Sequence, residues 1–388
     1  MREVSRSYLA QLLQNYCMSG TKLWKERAAL HTRTGQDIRQ ILVKAKNGIP
    51  PDRAELVYLL DAVDQSELEM IFQAARDLRE MHFGNSIFLY GFVYFSTYCR
   101  NNCSFCYFRR SNKLSPRYRK SDQETIEAAA QLSGSGVHLI DLTMGEDPYY
   151  HRDDEGASRL AALISEIKSE TGLPVMISPG VADLRMLEKL SAAGADWYAC
   201  YQETHNHDIF SKLRLGQSYE LRMASKRNAR NAGMLIEEGL MTGIGETAQD
   251  IAMSIEMMRE LQAHQIRVMS FVPQEGTTMA DRPAAERIRE LLTIALLRLS
   301  FPDRLIPASL DVDGLAGLEE RMHAGANVIT SLIPPQSGLA GVAQSDMDIN
   351  EGLRSVQEVK PVLNRIGLKA ASAEDYTRWV ENERSILR

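Results

Sequence analysis

The segment 87–107, IFLYGFVYFSTYCRNNCSFCY, joins a run rich in aromatic and aliphatic residues to three cysteines placed within eight positions. The run at 87–95 reads as a buried strand. Seven runs of similar character follow it: VHLIDLT (137–143), PVMISPG (174–180), DWYACYQ (196–202), MLIEEGLM (234–241), IRVMSFV (266–272), LIPASL (305–310) and NVITSLI (327–333). Amphipathic stretches separate most of them, among them QETIEAAAQL, SRLAALISEIKSE and AQDIAMSIEMMRELQAH. Strand–helix alternation sustained over about 250 residues is the sequence form of a parallel sheet with crossover helices. Eight units predict an α/β fold of the (β/α)8 TIM-barrel type. An open doubly wound sheet is the lesser fit, because no GxGxxG follows the first strand. In such a barrel the active site gathers at the C-terminal ends of the strands, so polar residues closing each run become the candidates.

The cysteines Cys99, Cys103 and Cys106 have a C-x3-C-x2-C spacing just after the first run. Asn101-Asn102 favours a loop over a helix there, and Arg100, Arg109 and Arg110 are poor neighbours for buried core thiols. A structural zinc would want a fourth Cys or His, and the next histidine, His138, falls inside a predicted strand. Three thiolates at separate corners suit an iron–sulfur cubane and leave one iron open for chemistry. Cys17 and Cys200 are isolated and read as ordinary thiols.

The remaining chain limits the function classes. Its 388 residues carry a formal charge of −6 with 44% apolar residues, which argues against a nucleic-acid or anionic-membrane partner. No run approaches the roughly 18–20 apolar residues of a membrane span, and MREVSRSYLAQLLQNY has no apolar signal segment, so a cytoplasmic protein is expected. The domain reading is an unassigned extension at 1–51, a helical lid packed on the barrel at 52–85, the barrel at 86–345 and a C-terminal helical segment at 346–388.

With Phe105 at its aromatic position, the cysteine motif resembles that of the radical SAM superfamily. The resemblance implies a 4Fe–4S cluster whose open iron chelates S-adenosyl-L-methionine (SAM), cleaved after one-electron reduction to a 5′-deoxyadenosyl radical. It also implies SAM contacts at Phe105 and at the turn Met144-Gly145-Glu146. Further contacts would come from Glu203 at the fourth strand end, Arg222 and Gly243. Read without the family, Gly239-x-Met241-x-Gly243-x-x-Glu246 is equally a plain turn capped by Glu246, and Glu203 with Arg222 is equally an ion pair.

Longer segments, including IDLTMGEDPYY, YQETHNHDIFSKLRLGQS, IRVMSFVPQEGT and RLIPASLDVDG, resemble the methylornithine synthases of pyrrolysine biosynthesis over roughly residues 52–370. That resemblance implies an isomerase converting L-lysine to (3R)-3-methyl-D-ornithine by hydrogen abstraction, fragmentation and recombination. Arg267 and Ser309 would then hold the α-carboxylate, Asp311 the α-amine and Asp141 the side-chain amine. The electron donor would be a carrier such as flavodoxin or ferredoxin. The alternatives are another radical SAM reaction, such as sulfur insertion or hydrogenase-cofactor maturation, and a non-catalytic iron–sulfur or zinc module. Asp141 and Arg267 could also be a structural ion pair with one another, since an interior strand charge demands a partner.

Overall fold

The computed structural model describes residues 38–62, 64–334 and 353–387. Cys17, most of the 1–51 extension and the boundary drawn at 345/346 lie outside the described residues. Each of the eight apolar runs is a strand: β1 (Ser86–Ser96), β2 (Leu139–Met144), β3 (Val175–Ser178), β4 (Ala195–Ala199), β5 (Leu235–Thr242), β6 (Gln265–Ser270), β7 (Pro307–Ser309) and β8 (Val328–Leu332). They pair in parallel in the order β6-β5-β4-β3-β2-β1-β8-β7. The seam between β6 and β7 is closed by a parallel bridge from Gln265 to Leu305, with the Ile266 amide donating to the Leu305 carbonyl at 2.9 Å. The result is a nearly closed barrel, as the alternation predicts.

Both faces of these strands are covered, which is why they read as continuous apolar runs rather than alternating ones. Outward residues such as Ile140, Leu142, Ile177 and Ile236 pack under the crossover helices. Inward residues near the N-terminal end of the barrel, Phe88, Tyr90, Met176, Trp197 and Leu235, form a separate apolar floor. The crossover helices begin where local chemistry satisfies their first amides. The helix Asp122–Ser135, for example, starts on a Ser121/Glu124 capping box and stops at left-handed Gly136.

The C-terminal segment carries a ninth strand that the sequence reading did not foresee. Lys369–Ala370 pairs in parallel with the start of β1 at Ser86 and Ile87. The following helix, Ala373–Leu387, plugs the floor: Trp379 stacks on Trp197 at 5.8 Å with the rings 7° apart, and the Tyr376 hydroxyl donates to that of Tyr90 at 2.7 Å.

The N-terminal helices Arg53–Leu60 and Gln65–Phe83 pack on the barrel, but against its side, where they lie on the helices Ala248–Glu260 and Arg287–Ser300. Arg79 donates to the Met322 and Ala326 carbonyls just before β8, at the floor end. Among the described residues of 52–85 none lines the cavity at the barrel mouth; these helices lie on the barrel's flank. Their apolar stripe finds its partner on the outer helix layer, a choice that amphipathic periodicity alone leaves open.

Tyr376 is fully buried against Phe88, Tyr90 and His138. Tyr376→Ala should therefore destabilise the chain by about 3–5 kcal/mol, the range for an aromatic removed from a core, as read by denaturant unfolding.

Candidate functional site

A cavity of about 240 Å³ opens at the C-terminal ends of the strands. Cys99, Cys103, Phe105 and Cys106 line it, together with Asp141, Met144, Gly145, Glu146, Glu203, Arg222, Arg267 and Asp311. Gly243 and Ser309 do not. Gly243 and Ile244 donate their amides to the Glu246 carboxylate at 3.0 and 2.9 Å, so this glycine serves a capped turn. The Ser309 hydroxyl lies 3.3 Å from both Asp311 Oδ2 and the Ser331 hydroxyl.

The cysteine loop is held from both sides by the turn after β2. The Arg100 amide donates to the Glu146 carbonyl, and its Nε to the Glu146 carboxylate, both at 3.0 Å. Where the chain returns, Arg119 grips Asp147 with two nitrogens at 2.7 and 2.8 Å, while the Ser96 hydroxyl adds a third bond at 2.6 Å. Gly145 makes this approach feasible: a Cβ there would fall on the Tyr98 carbonyl and come within 2.8 Å of Cys99 Cβ. Its demand is for closeness to the cysteine loop.

The donor set fits an iron–sulfur cluster. Cys103 Sγ receives Gln217 Nε2 at 3.0 Å and Arg214 Nη1 at 3.6 Å, and Cys99 Sγ receives the Asn101 amide at 3.4 Å. Burial, with the neighbouring thiols, pushes Cys106 well above the usual thiol range, and burial also raises Cys99. A bound iron centre would supply the positive charge that favours their thiolates. Among the described residues no three His, Cys, Asp or Glu side chains converge on one ion. All three cysteines line the same cavity, where ligands to separate irons of one cluster would have to sit.

Beside the cysteines, the turn Tyr201-Gln202-Glu203 after β4 gathers two guanidiniums. Arg222 Nε and Arg214 Nη2 both donate to the Tyr201 carbonyl, at 2.7 and 2.9 Å. Arg214 also pairs with Glu203 at 2.6 Å and lies over the Phe105 ring, while Arg222 sits 3.5 Å from Glu146. Glu203 thus pairs with Arg214 rather than Arg222. Its φ of 68° is rare for a residue with a side chain. Burial raises the pKa of Glu203 despite both arginines. For Glu146, burial is outweighed by Arg222, the Val181 amide and Arg100, which hold the carboxyl below the ordinary range. Behind the turn, fully buried Lys226 bonds Glu238 and Gln202 Oε1, and Glu238 accepts the Gln202 and Gly239 amides.

Deeper in the barrel, Asp141 on β2 faces β6 across the interior. Arg267 on β6 does not pair with it. Arg267 Nε donates to Glu237 on β5 at 2.7 Å, while Nη2 is buried with no hydrogen-bond partner. Asp141 accepts the Thr143 hydroxyl at 3.0 Å. Burial first, and then Glu237, push its pKa up to about 7 against the pull of Arg267. Asp311 is bound at 2.8 Å by Arg354, which arrives from beyond β8. Sequence reading missed Arg214, Gln217, Glu237 and Arg354. Only Glu237 left a signal: adjacent Glu237 and Glu238 in a strand face opposite sides, so one of them had to enter the barrel.

The signature of the radical SAM superfamily matches residues 93–258. The chain is 43% identical over 322 residues to 3-methylornithine synthase of Methanosarcina barkeri, covering 83% of this chain and 91% of that protein. It is 41% identical over 341 residues to the Methanosarcina acetivorans counterpart, covering 88% and 96%. The crystal structure of a methylornithine synthase (PylB) superposes with a TM-score of 0.83 at 41% identity, covering 87% of this chain and 99% of that one. Fold, cysteine loop and relatives agree: the chain belongs to the 3-methylornithine synthase family of the radical SAM superfamily.

Proposed function

We propose that this chain is a radical SAM mutase that converts L-lysine to (3R)-3-methyl-D-ornithine in the cavity at the barrel mouth. The observation that carries the substrate reading is Arg267, whose buried Nη2 has no partner within the protein yet whose side chain lines the cavity. A buried donor left unmade is costly, and a carboxylate of a bound amino acid would satisfy it. Asp141, Glu237 and Asp311 confront only Arg267 and Arg354 in this region, a charge excess suited to a ligand with two ammoniums and one carboxylate.

Cys99, Cys103 and Cys106 would hold the cluster, with Gln217 and Arg214 donating to the Cys103 sulfur. Arg222 and Glu146 would hold the amino-acid end of SAM, and Glu203 its ribose or ammonium. Bound together, the cluster and SAM supply a 5′-deoxyadenosyl radical able to take hydrogen from an unactivated C–H bond, which acid–base side chains cannot do. Arg267 would anchor the substrate carboxylate, with Ser309, behind Asp311, outside the cavity lining. Asp141 on the opposite wall would take the side-chain ammonium and Asp311 the α-ammonium. Fixing both ends keeps the two fragments of a broken carbon skeleton near one another, and the apolar floor keeps water out. The electron donor would be a low-potential carrier such as flavodoxin or ferredoxin. The segment 97–121 carries seven Lys and Arg and no acidic residue, with Arg110 and Lys113 exposed, a surface suited to an acidic protein. Among the described residues no helix is long and apolar enough to cross a membrane.

Anaerobic incubation of the reconstituted protein with L-lysine, SAM and a strong reductant should yield methylornithine, resolved by chromatography because its mass equals that of lysine. Lysine recovered unchanged while 5′-deoxyadenosine accumulates would overturn the mutase assignment. Arg267→Lys loses the planar two-nitrogen grip, so the lysine KM should rise at least about tenfold with cluster absorbance retained. An unchanged KM removes Arg267 from the site. Because Asp141 must be ionised to hold an ammonium, the lysine KM should also climb as pH falls from about 8 to about 6. Asp141→Asn should flatten that profile at a high KM.

A further inference from the structure

Glu237 is wholly buried on β5 and does not itself line the cavity, yet three side chains converge on it. Its Oε1 accepts Arg267 Nε and Gln265 Nε2, each at 2.7 Å, and its Oε2 accepts the Tyr201 hydroxyl at 2.8 Å. The Arg267 guanidinium also lies over the Tyr201 ring, 5.4 Å from its centre. The ring has its place because residue 239 is glycine; a Cβ there would meet Tyr201 Cδ1 at 2.9 Å.

Tyr201 therefore works at both ends. Its backbone carbonyl takes Arg214 and Arg222, which reach Cys103 and Glu146, and its hydroxyl takes the carboxylate that aims Arg267. A short chain of bonds runs from the cysteine loop through one residue to the arginine proposed to grip substrate.

We infer that Glu237 and Tyr201 are a positioning pair that sets where Arg267 holds the substrate carboxylate relative to the cysteine loop. Neither is needed merely to fill space. A fully buried carboxylate is expensive unless each oxygen is satisfied, and here every bond satisfying it also constrains Arg267 or its neighbours. Glu237 occupies Nε, the edge of the guanidinium nearest the chain, which leaves Nη2 for a ligand. In a rearrangement where hydrogen leaves one carbon and returns to its neighbour after the skeleton has recombined, a small shift of the anchor moves both carbons out of reach. The inference rests on Arg267 being the carboxylate anchor.

The test uses Glu237→Gln and Tyr201→Phe in the cluster-reconstituted full chain, with Arg267→Lys alongside. Two readouts are taken: the lysine KM and the ratio of released 5′-deoxyadenosine to methylornithine formed. Glu237→Gln should raise the KM about five- to tenfold and Tyr201→Phe about threefold. Both should raise the ratio several-fold, because a misplaced product radical fails to recover hydrogen from 5′-deoxyadenosine. SAM affinity should stay within about twofold, since the Tyr201 carbonyl remains in both variants. A purely structural role would lower the melting temperature while leaving KM and ratio as in the unaltered chain, and that result overturns the inference. If Glu237→Gln does not fold, Tyr201→Phe, which deletes one oxygen and no charge, decides alone. If Arg267→Lys leaves the lysine KM unchanged, the carboxylate anchor itself is wrong and the inference falls with it. If Arg267→Lys alone raises it, only the positioning role is lost.

Discussion

Two guanidiniums, those of Arg214 and Arg222, donate to one backbone oxygen, the carbonyl of Tyr201, and the geometry of the site follows from that convergence. Each arginine continues to a different part of the cavity wall: Arg214 to Glu203 and Cys103, Arg222 to Glu146. Bringing two cations to one carbonyl requires the turn to present it at a fixed angle. The unusual backbone of Glu203 and the buried Lys226–Glu238 pair behind the turn supply that angle. A buried ion pair contributes little net stability, but it holds a strained turn in one arrangement. Here both partners are fully buried and Glu238 also takes two amides of the turn, so its lone pairs are well used.

The same economy of charge runs through the barrel interior. Arg267, Glu237 and Asp141 are all buried, and although burial works against the Arg267 charge, Glu237, Tyr201 and Asp141 together outweigh it. Asp141 has no such partner and drifts toward neutrality at about 7. An interior with one committed pair and one uncommitted carboxylate is poorly suited to stability and well suited to a cationic ligand. The acidic residues after β2 act differently. Glu146 and Asp147 each bind an arginine of the cysteine loop, so the turn expected to touch SAM also fixes the segment that carries the cysteines.

The barrel was legible because its strands are covered on both faces and so read as apolar runs, each followed by an amphipathic helix. The cysteine loop was legible because its ligands are close in sequence. Glu237 and Arg354 were not. The first gains meaning only when β5 and β6 pair in register, which sets Glu237 opposite Gln265 and Gly239 opposite Arg267. The second reaches Asp311 from 43 residues away. The helices at 53–83 illustrate the same gap: their apolar stripe announces a partner, and only packing shows it to be the barrel's flank. The reading of Asp141 and Arg267 as partners of each other likewise gave way to Glu237, a neighbour in space on the adjacent strand.

Local spacing and periodicity, which the sequence carries in full, determined the eight-strand barrel, the three-cysteine motif after its first strand and the family to which the chain belongs. Which charges meet was decided by the tertiary structure alone. Hydrogen bonds and ion pairs act over a few ångströms between residues tens to hundreds of positions apart. Strand register, barrel closure and the seating of the C-terminal helix bring those residues within reach.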